Sequence, residues 1–245
     1  MTPEQFAERL KAALPAGLKS VVLYGSATAG DFVPGKSSYN LLVVVESLGL
    51  SELDSFAGPV AEWTRGGNES PLLFTSGQLA ASADAFPIEL ADMQQSRKVL
   101  FGEDPLAGID INPSHLRLQL ERELKGKLLS LRRRYVQTRG DGQRLSDLMA
   151  ASLSTFLVLF RAALRLFQPR VPPTKIEALA ELAQHISFDP LPFRRVYAMK
   201  EGRPAPDDPP AGILFAEYLK NIEKVIEAVD SHIHANRARS IDTEH

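Results

Sequence analysis

Two features of the stretch Leu23 to Val45, LYGSATAGDFVPGKSSYNLLVVV, have the residue types and spacing for phosphate chemistry. The first is Gly25-Ser26, a Gly-Ser turn at the end of a short apolar run. Such a turn lets backbone amides and a hydroxyl approach a triphosphate closely. The second is the pair Ser38 and Asn40, two residues apart at the head of the β-branched run Leu41 to Val45. Residues at i and i+2 of a strand point to the same face, so two carboxylates there could share divalent ions. Hard ions such as magnesium need anionic oxygen ligands, and a pair of them clamps the attacking and leaving oxygens of an in-line displacement. Ser38 and Asn40 carry no charge, so the frame for that chemistry is present and its acids are missing.

The elements that must position this frame follow from the pattern around it. Thr2-Pro3-Glu4-Gln5 reads as a capped helix start, with Phe6, Leu10 and Ala13 on one face. Val21 to Tyr24 is a buried strand, residues 27–37 a loop punctuated by Gly30, Pro34 and Gly35, and Leu41 to Val45 a central strand covered on both faces. A helix from Ser51 through Phe56, Val60 and Trp63 closes at Gly66-Gly67-Asn68, and Pro71 to Thr75 is a third strand. Phe86 to Met93 fits a strand or a helix equally. Beyond Pro113 the pattern turns helical: 116–135, 145–167, a helix capped by Thr174, a shorter one near Phe193 and Tyr197, and a last long one from about Gly212 to Arg237. The expected architecture is α+β: a small mixed-sheet domain over 1–112, an all-helical bundle of about five helices over 113–239, and a disordered tail over 240–245.

The spacing LYGS, eleven residues, then SYNLLVV resembles the signature of the DNA polymerase β-like nucleotidyltransferase superfamily. Ala29-Gly30-Asp31-Phe32, Pro34-Gly35 and Val99-Leu100-Phe101-Gly102-Glu103 resemble its bacterial aminoglycoside-type branch, in which a helical bundle follows the catalytic domain. The likeness is specific over residues 20–46, looser through 71–106 and only architectural beyond 114. It implies a mixed-sheet nucleotidyltransferase fold, a nucleotide bound around Gly25, Ser26, Lys36, Ser38 and Asn40, and Mg2+ with a nucleoside triphosphate where activity is kept. It also implies three acids. Ser38 and Asn40 stand at the first two, and Leu73 is the residue expected at the third. Glu46 has Asn40's strand parity but lies roughly 20 Å farther on. Asp31, Glu89 and Asp92 are the candidate substitute acids; the plainer readings are a turn-stabilising Asp31 after Gly30 and a solvated or structural Glu89 and Asp92.

The expected function is therefore a nucleotidyltransferase-fold protein without catalytic activity that has a nucleotide- or small-ligand-binding, regulatory role. The rivals are an active transferase using Asp31, Glu89 or Asp92, and a structural module that pairs with a protein partner or with its own copies. A formal net charge of −2 gives no general case for nucleic acid, and zero cysteines exclude thiolate catalysis and disulfides. The basic run Arg132-Arg133-Arg134, with Lys125, Lys127 and Arg139, spreads around a helix, where Glu121 and Glu123 offer ion pairs; nucleotide or RNA contact is the sharper reading. His115, His185, His232, His234 and His245 form no metal-ligand pattern. The start lacks a basic n-region and an apolar core, and the apolar run Phe156 to Phe160 is too short for a membrane span, so a cytoplasmic protein with no membrane partner is expected.

Overall fold

The structure, a computed structural model, describes residues 1–30, 32, 37–205 and 207–241, with side chains in the last helix described through residue 232. The chain divides into two compact units, Met1–Leu116 and Arg117–His245.

The first unit is built on a four-stranded mixed sheet. In chain order its elements are α1 (Pro3–Ala13), β1 (Leu18–Tyr24), α2 (Ser26–Ala29), β2 (Asn40–Val45), α3 (Leu50–Arg65), β3 (Leu72–Thr75), α4 (Ser76–Ala81), α5 (Pro87–Gln95) and β4 (Arg97–Gly102). The strand order is β3-β2-β1-β4; β1 runs antiparallel to β2 and β4, and β2 parallel to β3. Side-chain alternation along β2 divides the core. Leu41, Val43 and Val45 pack with Phe6, Phe56 and Trp63 toward α1 and α3. Leu42 and Val44 pack with Leu79, Leu90 and Met93 toward α4 and α5. All five are buried, which is why the run carries no polar alternation. Thr2 caps α1 through a capping box with Gln5, as the first residues indicate.

Three local expectations are refined. Residues 26–29 begin the supposed loop as a short helix. Phe86 to Met93, ambiguous by pattern, is helical as α5, with Pro87 in its first turn. Arg97–Gly102 is an edge strand bonded to β1, and it accepts Gly102 because φ there is +75° and a side-chain carbon would overlap the Lys19 carbonyl.

The second unit is helical: α6 (Pro113–Thr138, beginning in the first unit), α7 (Gly142–Leu164), α8 (Lys175–His185), α9 (Leu191–Lys200) and α10 (Ala211–Ile241). Asp141 caps α7 and Thr174 caps α8. Within the unit α7 packs against α8, α9 and α10. Its Phe156 and Phe160 meet Phe188, Phe193 and Tyr218 in one aromatic cluster. By length and composition α7 is apolar enough to cross a membrane, but 61% of its most apolar window is buried inside the protein, as a core helix requires. Ser240 and Ile241, expected in a disordered tail, belong to α10; the rest of that tail, 242–245, lies outside the described residues.

Candidate functional site

The Gly-Ser turn is fixed by its backbone. Gly25 has φ +81° and ψ −145°, a region open to glycine and closed to residues with a Cβ. Its N–H donates to the Ser96 carbonyl at 3.2 Å, and the Thr28 hydroxyl donates to the same carbonyl at 2.7 Å. The Gly25 carbonyl accepts the Thr28 and Ala29 amides, both at 3.0 Å. The end of β1 is thus tied to the residue that joins α5 to β4.

The segment entering β2 is held by an aromatic ladder. Tyr39 stacks on Phe32 with ring centroids 4.7 Å apart and lies 6.1 Å from Trp63, which stacks on Phe6 at 4.7 Å. The Trp63 indole N–H donates to the Glu69 carbonyl at 2.9 Å, and the Tyr39 amide donates to Asn68 Oδ1 at 3.3 Å. Tyr39 is therefore anchored toward α1 and α3. Alternation along β2 sends the half-buried Asn40 to the α4–α5 side, and Ser38, also half-buried, lies in the coil before the strand.

On that side Asn40 stands directly across from Tyr24 in the β1–β2 ladder. The Asn40 amide nitrogen lies 3.0 Å from where a Cβ on Gly25 would be, so the turn and the strand meet through glycine's missing side chain. Tyr24 packs against the α4–α5 core, where burial first and the Glu89 carboxylate second push its phenol up to about 12. Glu89, exposed in the first turn of α5, is thereby the acid that acts on Asn40's side of the sheet. Asp92, half-buried, lies three residues on along the same helix. Arg97 pairs with Tyr24 across the β1–β4 ladder; its Nε and Nη2 bond Asp104 Oδ2 at 2.8 and 2.6 Å, and its Nη1 bonds the Gln94 carbonyl. Burial of Asp104 opposes its ionisation, yet Arg97 and the Leu106 amide outweigh it and hold the carboxyl below its ordinary range.

The structure brings Gly25 and Asn40 together beside Tyr24, whose phenol also feels the Glu89 carboxylate of α5. It does not bring Leu73 there. Leu73 pairs with Val43, three residues beyond Asn40, and packs toward α1 and α3 on the opposite face. Register and face, which a run of Leu72, Leu73 and Phe74 leaves undetermined, are the reason for this correction; the β3 residue facing the α4–α5 core is Phe74. Asp31 and Lys36 lie outside the described residues. Tyr24, Thr28 and Ser96 were missed as site residues by the sequence reading. Thr28, three residues past a turn glycine, had the spacing to bond back to it.

The described donors do not fit a pair of magnesium ions. Ser38 and Asn40 offer neutral oxygens, Leu73 is apolar and faces away, and no three acids or imidazoles among the described residues cluster to hold a metal. His185 and His232 instead flank the Phe167 ring, at 5.6 and 4.8 Å between centroids.

No family model matches the chain, and no curated protein matches it in sequence. Among solved structures the chain is similar to the spectinomycin adenyltransferase AAD(9) from Enterococcus faecialis, determined with ATP and spectinomycin. The two are 12% identical, the match covers 91% of this chain and 100% of the other, and the TM-score is 0.52. At that identity the likeness is one of fold: this chain has the α+β fold of that adenyltransferase.

Proposed function

We propose that this chain is a catalytically degenerate nucleotidyltransferase-fold protein of the cytoplasm that binds a nucleotide or small ligand at the Gly25–Ser26 and Ser38–Asn40 end of its sheet. The observation that carries this reading is the neutral pair Ser38 and Asn40 on an otherwise intact frame. A metal-bound triphosphate needs anionic protein oxygens to hold its cation, and two neutral oxygens hold it weakly. The backbone turn at Gly25 and the polar donors beside it need no metal to hydrogen-bond a ligand. The similar AAD(9) was solved with both ATP and spectinomycin, which sets the two ligands to try first. The protein then acts through conformation or a partner rather than by transfer.

Calorimetric titration of the whole chain with ATP and with spectinomycin, each with and without magnesium, tests the reading. It expects saturable binding that depends little on magnesium, and no transfer of labelled nucleoside monophosphate to any acceptor. Magnesium-dependent label transfer refutes the degenerate assignment; heat-silent titrations at millimolar ligand refute the binding assignment.

One observation favours a second reading. Glu89 raises the Tyr24 phenol on the Asn40 side of the sheet, so an acid does stand near the frame. In that reading the chain is an active transferase in which Glu89, with Asp92 behind it, takes over from the missing acids. Label transfer that disappears in Glu89→Gln and survives in Asp84→Asn, an exposed acid outside the site, selects it.

A further inference from the structure

The basic run of α6 is the sequence feature that the first unit does not use. The helix carries seven Lys and Arg against two Glu. Ion pairs separate these cations into two groups. Arg117 and Lys125 both bond Glu121, at 2.7 and 2.6 Å, and Arg132 bonds Glu223 on α10 at 2.7 Å. Lys127, by contrast, reaches Glu123 only at 3.8 Å, and Arg134 makes no ion pair among the described residues. These two are seven residues apart, two helical turns, and so lie on one side of α6.

That side borders a recess of about 220 Å3 between α6 and α7. Its floor is apolar, from the buried Leu131, Leu148 and Phe156. Its α7 wall carries the hydroxyls of Ser152 and Thr155, and Ser130 sits between the two cations on the α6 wall. Ser152 is fixed by its contact with the Tyr218 hydroxyl at 3.2 Å, beneath the recess. Two weakly compensated cations, three hydroxyls and an apolar floor therefore share one small space.

We propose that this recess binds a small organic phosphate, a phosphomonoester of a few carbons. The Cα atoms of Lys127 and Arg134 are roughly 10.5 Å apart along the helix, so their long side chains can converge on one anion. An arginine fork and a lysine ammonium match the charge of a phosphomonoester dianion, while a single carboxylate leaves one cation over. The hydroxyl wall suits a hydroxylated carbon body, and the floor suits its C–H surface. Size excludes larger ligands: the recess is below the range of about 300–1,000 Å3 typical of drug-sized pockets, so a nucleoside triphosphate does not fit within it. RNA is disfavoured because the aromatic ring lining the recess, Phe156, is buried and offers no stacking platform.

Titration of the full chain with glycerol 3-phosphate, with glycerol and ATP alongside, tests the assignment. Saturable binding is expected for glycerol 3-phosphate and none for glycerol. Lys127→Ala and Arg134→Ala, both at exposed positions, should each weaken it about tenfold with unchanged circular dichroism; Arg133→Ala, the neighbouring exposed cation outside the recess, should not. Thr155→Val should weaken glycerol 3-phosphate more than inorganic phosphate, because it removes only the contact to the carbon body. No saturation at millimolar glycerol 3-phosphate overturns the proposal. So does an equal loss in Arg133→Ala, which marks diffuse attraction to a basic helix, or ATP binding that depends on Lys127 and Arg134.

Discussion

Replacing Gly25 with alanine tests whether the turn that defines the candidate site is held as described. At φ +81° and ψ −145° the backbone lies where a Cβ is strained, at a cost of about 1–3 kcal/mol. The added carbon would also stand 3.0 Å from the Asn40 amide nitrogen. Asn40 is the first residue of β2 and is paired with Tyr24, so it can yield only by turning its amide away from the turn. The sum is about 2–4 kcal/mol. Trp63 is the only tryptophan and is fully buried in the first unit, so its fluorescence reports that unit's unfolding. With a urea slope of about 2 kcal/mol per M, the midpoint should fall by roughly 1–2 M. Gly30→Ala supplies the contrast. Gly30 is left-handed, with φ +88° and ψ 4°, but nothing lies within 4 Å of its would-be Cβ, so it should cost only about 1–2 kcal/mol for the conformation alone. Ligand affinity should fall in Gly25→Ala and stay unchanged in Gly30→Ala. A Gly25→Ala midpoint equal to wild type, or matched by Gly30→Ala with affinity intact in both, refutes the close Gly25–Asn40 approach on which the site is built.

Other substitutions separate the parts of the first unit. Trp63→Ala removes a ring stacked on Phe6 and an indole bond to Glu69, and calorimetry should show a loss of about 3–5 kcal/mol. Asp104→Asn should cost about 1–2 kcal/mol at pH 7 by weakening the Arg97 pair. Because the folded carboxyl is depressed below its unfolded value near 3.9, that contribution is complete above the unfolded value and is lost as pH falls through the folded one. Wild type and Asp104→Asn should therefore converge in acid unfolding as pH falls through the depressed folded value, and a gap that stays constant as pH falls contradicts the assignment. The double change Ser38→Asp with Asn40→Asp should create magnesium-dependent ATP binding that wild type lacks; equal calorimetric traces with and without magnesium count against Asn40 and Ser38 as the vacated acid positions.

What was legible in the sequence is what short-range physics decides. The Thr2 capping box, the buried run of β2 and the glycine closure of α3 each rest on residues within a few positions of one another. The failures are all tertiary. In α5 the buried residues are Pro87, Ile88, Leu90, Ala91 and Met93, a set that matches neither period 2 nor period 3.6 cleanly, so only its packing on the sheet decides. Leu73 was misplaced because a one-residue slip in a run of apolar residues exchanges the two faces of a strand, and both faces of this sheet are apolar. Tyr24 and Glu89 are 65 positions apart, and nothing local joins them. The site's polar frame was readable at Gly25 and Asn40, while its neighbours came from α5 and β4.

The frame is held by groups other than the residues at the proposed acid positions. Gly25 is fixed by the Ser96 carbonyl, and Tyr39 by Phe32 and Trp63; neither Ser38 nor Asn40 supplies those restraints. Two carboxylates at i and i+2 would lie about 7 Å apart and repel by roughly 0.6–2.4 kcal/mol between the dielectric of water and that of a protein surface. In a metal-binding enzyme the ion offsets that repulsion, and binding stabilises the fold through linkage. A chain with no use for the ion keeps only the repulsion, here added to the field of Glu89 on the same side. Exchange of both acids for neutral hydrogen-bonding residues removes the repulsion and leaves the turn, the strand and the aromatic ladder intact. On the proposed reading, the neutral pair Ser38 and Asn40 removes that repulsion where metal chemistry is not selected, while the turn and the aromatic ladder are held by other residues.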